Sequence, residues 1–566
     1  MFVRTQINGS RIYLLIVENL WVGGKVKQRV LHRLGRLDQL VSSGQLDSLL
    51  LSLGRFTEKL SVLGAHLKGE SITTRCAKIG PALICERLWK ACSIDKVLTS
   101  LLLGQRRFEF SVERSVFVSV LHRLFAPGSD RAAEKWKQDY AVEGAEPLCL
   151  HHLYRAMAWL GEVLPQDQQS GATPFAPRAN KDVIEEELFA QRRDLFSSLD
   201  LVFFDTTSLC FYGEGGATLG ERGHSKDHRP DLKQMVVGIV LDQTGNPVCS
   251  EMWPGNTADV RSLTPIVERL KMRFQIGEIC IVADRGMISA KTIADLEKRK
   301  WRYILGVRMR SSTEAKQVVA RAGRYAEVSP QSHDPDDPSP LKVKQVWVED
   351  QRRYVVCLNE DQAKKDRLER EAVVASLREA LKQGDKSLVG NKGYRKFLRG
   401  GSHRFEVDED KLQQEARYDG KWVLTTNTDL APADVALKYK QLWRVEEVFR
   451  SMKSLLDTRP IFHRRDETIR GHVFCSFLAL LLRKELEDRL THKNWKLEWA
   501  DVIRDLDNLT EMEVAINGKG YVFRSEAKGT TGKIFQACGV ALPPTLRQLE
   551  TPTRSPHTER EGKPCH

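Results

Sequence analysis

The chain has 566 residues, 41% hydrophobic and 29% charged, enough for several domains and a large core. A formal net charge of +13 favours a polyanionic partner, nucleic acid ahead of a membrane surface. The eleven cysteines contain no C-x-x-C and the closest two, Cys85 and Cys92, stand seven apart, which argues against a zinc ribbon or a disulfide framework and suits a reducing cytosol.

Residues 1–60 open with RIYLLIVENLWVGGKVKQRVLHRLG, two strand-like runs around Gly23-Gly24, and predict a basic β-hairpin. No charged-then-apolar leader pattern precedes it. Residues 61–190 read as a mainly helical region; in SVERSVFVSVLHRLF, Val112, Val116, Val120 and Leu124 recur at helical spacing. Cys149, His151 and His152 form a lone cluster that reads as structural. A linker pattern, PQDQQSGATPFAPRANKD, begins at Pro165.

From 191 to 309 the pattern changes. LVFFDTTS ends an apolar run at Asp205, and a glycine-rich polar loop follows. QMVVGIVLD and NPVCSEMW read as strands, VRSLTPIVERLKMRF as a helix, EICIVADRG as a strand ending at Asp284, SAKTIADLEKRK as a helix and RYILGVRM as a strand. The order is β-β-β-α-β-α-β. Residues 310–430 interrupt it with a mixed α/β segment: the linker-like SPQSHDPDDPSP, the strand RYVVCLN, a charged helix near 361–383 and the strand KWVLTTNT. Residues 431–500 hold a helix from about Pro432 that runs through YKQLWRVEEVFRSMKS, and then VFCSFLALLL, too short an apolar run to span a bilayer. Residues 501–566 are weakly patterned and end in a polar tail, from Thr551, that reads as disordered.

Asp205 and Asp284 each stand where a hydrophobic strand leaves a sheet, the place where open α/β sheets collect ligands. Converging carboxylates repel unless a cation bridges them, and hard divalent ions take oxygen ligands. On an ideal helix, Leu442, Val445, Phe449, Met452 and Leu456 form one stripe. Glu446 lies at its edge, roughly in line with Tyr439 and Lys453 and about 40° from Arg450, whereas Glu447 turns about 100° toward solvent. Glu446 can therefore complete a metal site or simply pair with Arg450. GEGG at 213–216 lacks the Lys-Ser/Thr of a phosphate loop.

DTTSLCFYGE, GHSKDHRPDLKQMVVGIV, GNTADVRSL, VADRGMIS, YDGKWVLTTNT, YKQLWRVEEVFRSMKSLLDTRPIFH and IRGHVFCSFLALLL occur in this order over nearly the whole chain. In them the chain resembles DDE transposases of bacterial insertion sequences, the IS4-like group and its IS1634-type branch. The resemblance implies an RNase H-like α/β core with an inserted mixed domain at 310–430 and a mainly helical N-terminal DNA-binding region. It also implies that Asp205, Asp284 and Glu446 hold two Mg²⁺ ions, with Mn²⁺ as a substitute. The implied activity is cut-and-paste transposition: hydrolysis at terminal inverted repeats, then attack of the 3′-OH on target DNA, by a homodimer on paired ends, in the cytoplasm at the nucleoid and not at a membrane.

Tyr439 and Lys453 fit the family's helix signature, but Leu442 stands where it has an arginine. Arg444 points away, and Arg450 can supply the cation. His224, Lys226 and Arg229 on the loop after the first strand, and Arg459 and His463 after the Glu446 helix, are expected to meet DNA. His472 can do so or sit at the edge of the core. Two other readings of the same core remain at this stage, a DNA-binding repressor without catalysis and a metal-dependent nuclease without strand transfer.

Overall fold

The computed structural model describes residues 1–22, 25–54, 73–173, 176–192, 201–258, 263–274, 279–328, 341–348, 352–382, 396–400, 405–516 and 519–549. They divide into two compact units. One contains Met1–Leu83, Asp139–Ala141 and Leu497–His566; the other contains Ile84–Gln138 and Val142–Lys496.

The first unit begins with β1 (Phe2–Asn8), β2 (Arg11–Val22) and β3 (Lys25–Arg36), an antiparallel sheet in that order. Strands flank Gly23-Gly24 as expected, with Val22 opposite Lys25, and β1 adds a third; the two glycines themselves lie outside the described residues. β4 (Thr73–Lys78) is the next strand. The N-terminal region is therefore not purely helical: strands open it, and β4 precedes the helices Gly80–Ala91, Ile94–Leu103, Val112–Phe125, Asp130–Trp136, Leu150–Leu160 and Asn180–Arg192 of the stretch expected to be mainly helical. The β-branched and aromatic alternation of RIYLLIVENLWV wins at the start, and β4 owes its form to a partner more than four hundred residues away, beyond the reach of local pattern.

The second unit is built on a nine-stranded sheet. Its strands are β5 (Leu201–Cys210), β6 (Gln234–Leu241), β7 (Pro247–Pro254), β8 (Cys280–Ala283), β9 (Arg302–Gly306), β10 (Ala326–Val328), β11 (Leu341–Trp347), β12 (Arg353–Asn359) and, after a small hairpin of β13 (Leu398–Gly400) and β14 (Phe405–Val407), β15 (Lys421–Thr426). The order is β10-β11-β12-β15-β9-β8-β5-β6-β7. β5, β8 and β9 run parallel and every other pairing is antiparallel. The β-β-β-α-β-α-β order read from the sequence forms the half from β7 to β9. The 310–430 segment returns into the same sheet, because β15 pairs with the free edge of β9 and β12, β11 and β10 follow. Its linker-like residues 329–340 lie outside the described set.

Helices Leu263–Phe274 and Ala290–Lys298 cover one face. Val202 and Phe204 of β5 join Val236, Trp253, Ile266, Leu270, Ile281, Leu296 and Tyr303 in the core beneath them. Side chains alternate along a strand, so Asp205 faces the other side. On that side the helix Pro432–Lys440 packs over β11, β12, β9 and β8, and the helix Trp443–Arg450 over β5 and β6. The long helix Asp466–Thr491, almost wholly buried through VFCSFLALLL, carries the helices Val112–Phe125 and Leu150–Leu160. Gly161 and Gly471 mark that crossing: a Cβ on Gly471 would come within 2.6 Å of the Met157 carbonyl carbon. A buried ion network of Lys181, Asp182, Glu185, Glu251, Arg269 and Arg273 ties the helix Asn180–Arg192 to β7 and the helix Leu263–Phe274.

The C-terminal residues return to the first unit. β16 (Thr510–Ile516), β17 (Lys519–Arg524) and β18 (Leu546–Leu549) complete a four-stranded sheet in which β16 pairs with β4. This region is more regular than its weak pattern suggested; the polar tail from Thr551 lies outside the described residues. Among the described residues no helix is long and apolar enough to cross a membrane.

Candidate active site

β5 and β8 run in parallel register, Leu201 opposite Cys280 through Phe204 opposite Ala283. One more step sets Asp205 beside Asp284, just where β8 ends. Every residue of β5 is buried except Asp205, which is half-buried. Asp205 was expected where its strand leaves the sheet, but β5 runs on past it to Cys210, held by β6; it is β8 that ends here, and Asp205 is left as the one half-buried side chain of β5. The backbone N–H of Thr206 donates to Asp205 Oδ1 at 2.7 Å. Tyr439 reaches Asp284: its hydroxyl donates to Oδ1 at 2.9 Å. Burial, then the Asp284 charge, push the Tyr439 phenol well above its ordinary pKa, so it remains a neutral donor.

The helix expected to run unbroken through YKQLWRVEEVFRSMKS is interrupted. Pro432–Lys440 ends, Gln441 and Leu442 turn, Trp443–Arg450 resumes, and Ser451–Leu455 widens into a π turn. Leu442 is buried at the junction, where a charged side chain would lose its hydration. Val445 and Phe449 anchor the second piece, leaving Glu446 and Glu447 exposed. Glu447 lines a cleft of about 280 Å³ with Arg444, Arg483 and Lys484, on the side of the 244–247 turn. Arg444 donates to the Gln243 carbonyl at 3.1 Å, away from the strand ends. Arg450 is exposed.

The loop after β5 folds back on the site. Lys226 Nζ donates to the Thr206 carbonyl at 2.6 Å, one residue from Asp205. Asp227 receives two cations, Lys453 at 2.9 Å and Arg459 at 2.9 Å, one on each carboxylate oxygen. Burial pulls the Lys453 pKa below its usual value, against the hydrogen bond to Asp227. Arg229 pairs with Asp231 at the surface, 2.7 Å apart, and the His224 carbonyl accepts from Gln234 Nε2 at 3.0 Å.

The model of the transposase DDE domain matches residues 197–482, half of the chain. The chain belongs to the DDE transposase family. The N-terminal domain model of IS1634 family transposases matches residues 3–64 and sets it in the IS1634 branch of the IS4-like group. No curated protein matches the chain. Among solved structures it is similar to a piggyBac transposase, determined by cryo-EM as a synaptic complex with hairpin DNA, at 10% identity and a TM-score of 0.36, over 76% of this chain and 79% of that one.

One three-residue cluster among the described residues brings potential ligands of a single metal ion within 4.8 Å of one another: Asp130, His463 and His472. The carboxylates of Asp205, Asp284 and Glu446 are spread wider than that. The cluster already has a cation. Arg123 lies 2.9 Å from His472 Nδ1 and 3.5 Å from Asp130. His463 sits 3.2 Å from Asp130, and His472 Nε2 is 3.0 Å from the Thr458 carbonyl. Burial, then Arg123 and His463, push His472 down to about 3. His463, expected at DNA, is thus engaged inside this cluster, and His472 takes its core-edge alternative. His152 accepts from the Cys149 N–H at 3.0 Å, a structural role for that lone cluster.

Sequence reasoning passed over Asp227, Asp130 and Arg123. Asp227 lay within HSKDHRPD, but an acid in a basic loop reads as solvated. Nothing local marks Asp130 and Arg123, whose histidine partners lie more than three hundred residues on.

Proposed function

We propose that this transposase cuts at the terminal inverted repeats of its insertion sequence and joins the freed 3′-OH to target DNA, with Asp205, Asp284 and Glu446 as the metal-holding triad. The observation that carries the reading is the parallel register of β5 and β8, which brings Asp205, midway along β5, beside Asp284 at the end of β8, with the Glu446 helix packed on β5. Their donors are all oxygen, which fits Mg²⁺, with Mn²⁺ as a substitute and two ions to the site. Such ions, when bound, activate water and stabilise a leaving phosphate oxygen.

Tyr439 orients Asp284. Lys453 and Arg459, held on Asp227, and Lys226, beside Asp205, are the cations best placed for a DNA backbone. Arg450, His224 and Arg229 lie on the same helix or loop and extend that contact. In the N-terminal unit β3 carries Lys25, Lys27, Arg29, Arg33 and Arg36 and no acid, which favours binding of the element ends there. Pairing of two ends calls for a homodimer on DNA, at the nucleoid.

The test uses full-length protein, DNA bearing one element end, and Mg²⁺. Cleavage at the end followed by joining is expected, and both stop in EDTA. Asp205→Asn should end cleavage but keep the gel shift of the end. Undiminished cleavage by that variant would sink the triad, and cleavage that never leads to joining would leave a nuclease.

A further inference from the structure

Asp284 is the first residue beyond β8, so no strand pairing fixes its side chain. Two side chains hold it and its turn, Tyr439 from the helix Pro432–Lys440 and Arg308 just past β9. Gly306 ends β9. A Cβ built there would overlap the Tyr439 hydroxyl outright, lie 3.0 Å from Tyr439 Cζ and 3.2 Å from the Arg285 backbone nitrogen. The phenol ring thus occupies the space that any side chain at 306 would take. Two residues on, Arg308 Nε donates to the Arg285 carbonyl at 3.1 Å and Nη2 to the Gly286 carbonyl at 3.2 Å, clasping the turn that follows Asp284.

We propose that Gly306 is a positioning residue of the cleavage site: its missing side chain lets Tyr439 cross the end of β9 and lock the Asp284 carboxylate in one direction. The inference rests on Asp284 being a metal ligand. A hydroxyl suits the task because it fixes Oδ1 while leaving the carboxylate its full charge, and Oδ2 stays open to a cation. A lysine in its place would fix the carboxylate and also neutralise it. Partners that orient metal ligands are typically worth about 10- to 100-fold in metal affinity or activity. Alanine at 306 must either push the phenol off Asp284 or shift the end of β9, which is pinned on both sides, by β8 and by Leu424 of β15.

The test is a double-mutant cycle of Gly306→Ala and Tyr439→Phe in the full-length transposase, without DNA. The first readout is Mn²⁺ affinity by electron paramagnetic resonance, counting only the binding that Asp284→Asn removes. Each single variant should weaken it by about tenfold, and the double variant no further. Wild-type affinity in Gly306→Ala, or losses that multiply in the double, would overturn the proposal. The second readout is thermal unfolding in EDTA, which involves no metal. Gly306→Ala should lower Tm less in the Tyr439→Phe background than in the wild type; an equal loss in both also overturns it. If Gly306→Ala alone does not fold, recovery of folding in the double variant supports the proposal and its absence counts against it. If Asp284→Asn removes no Mn²⁺ binding, the metal-ligand reading fails, while the unfolding cycle still reports on the contact itself.

Discussion

Asp284 and Asp130 are both carboxylates that neighbouring elements hold in place, yet they are held in opposite ways. Asp284 takes a neutral hydroxyl and keeps its charge at an open strand end. Asp130 is buried against Arg123 and His463, and although burial raises a carboxyl pKa, those partners hold this one below the usual range. The first arrangement leaves charge available to a ligand. The second consumes it inside the protein, where Arg123 already fills the role a metal ion would play. Ligand atoms lying close together therefore do not by themselves mark an available metal site, because their charge can already be spent inside the protein.

The contrast breaks most visibly if the two aspartates are exchanged for asparagine. Asp284→Asn should lower end cleavage by about 10³-fold or more, since each 1.36 kcal/mol of barrier is tenfold in rate, with little change in urea midpoint. Asp130→Asn should do the reverse. It leaves the guanidinium of Arg123, 3% exposed, without its anion, and stranding a buried partner costs about 3–5 kcal/mol. Cleavage per folded molecule should survive. Two variants that both lose cleavage at unchanged stability would erase the distinction.

Acid sharpens the same comparison. His472 stays neutral down to about pH 3 in the folded chain, whereas an unfolded histidine protonates near 6.5. The folded pKa is depressed, so the stabilisation is fully present above the unfolded value and is lost as pH falls from about 6.5 toward 3. The groups facing His472 are Arg123, His463, Asp130 and the Thr458 carbonyl. Urea midpoints should therefore fall between pH 7 and 5, and His472→Gln should flatten that slope. An unchanged slope would mean that another group sets the acid sensitivity.

The sheet from β5 to β9 was legible because continuous apolar runs between turn signals are what a strand buried on both faces needs. Asp205 and Asp284 stood out as the polar residues that end such runs. The break at Gln441-Leu442 was not legible. Both residues sit in a strongly helical pattern, and only the packing of one helix piece on β11, β12, β9 and β8 and of the other on β5 and β6 separates them. Pairings across long stretches of chain, such as β4 with β16 or Asp227 with Lys453, leave no periodicity to read, because each partner satisfies its own local pattern.

Asp227 gives a smaller effect. Asp227→Asn removes the charge that holds Lys453 and Arg459 but keeps the shape, so both cations should be freer for DNA phosphates. Binding to DNA without an element end should tighten by a few-fold at low salt, and its affinity should fall more steeply with salt, by about one further phosphate contact. Weaker binding would make Asp227 a brace for the two cations.

The smallest expected effect comes from Glu447, the neighbour of Glu446. Glu446 and Glu447 are both exposed, so burial does not tell them apart. Their surroundings can. The helix lays Val445 and Phe449 on β5 and β6, and β5 carries Asp205 midway along it, whereas Glu447 turns into the cleft of Arg444, Arg483 and Lys484. A carboxylate among three cations at a surface cleft contributes about 0–1 kcal/mol. Glu447→Gln should thus change cleavage less than about twofold and stability by no more than that amount. Glu446→Gln should stop cleavage at unchanged stability. A loss in Glu447→Gln as large as in Glu446→Gln would mean that the helix turns its other edge to the strand ends, and the triad would have to be redrawn around Glu447.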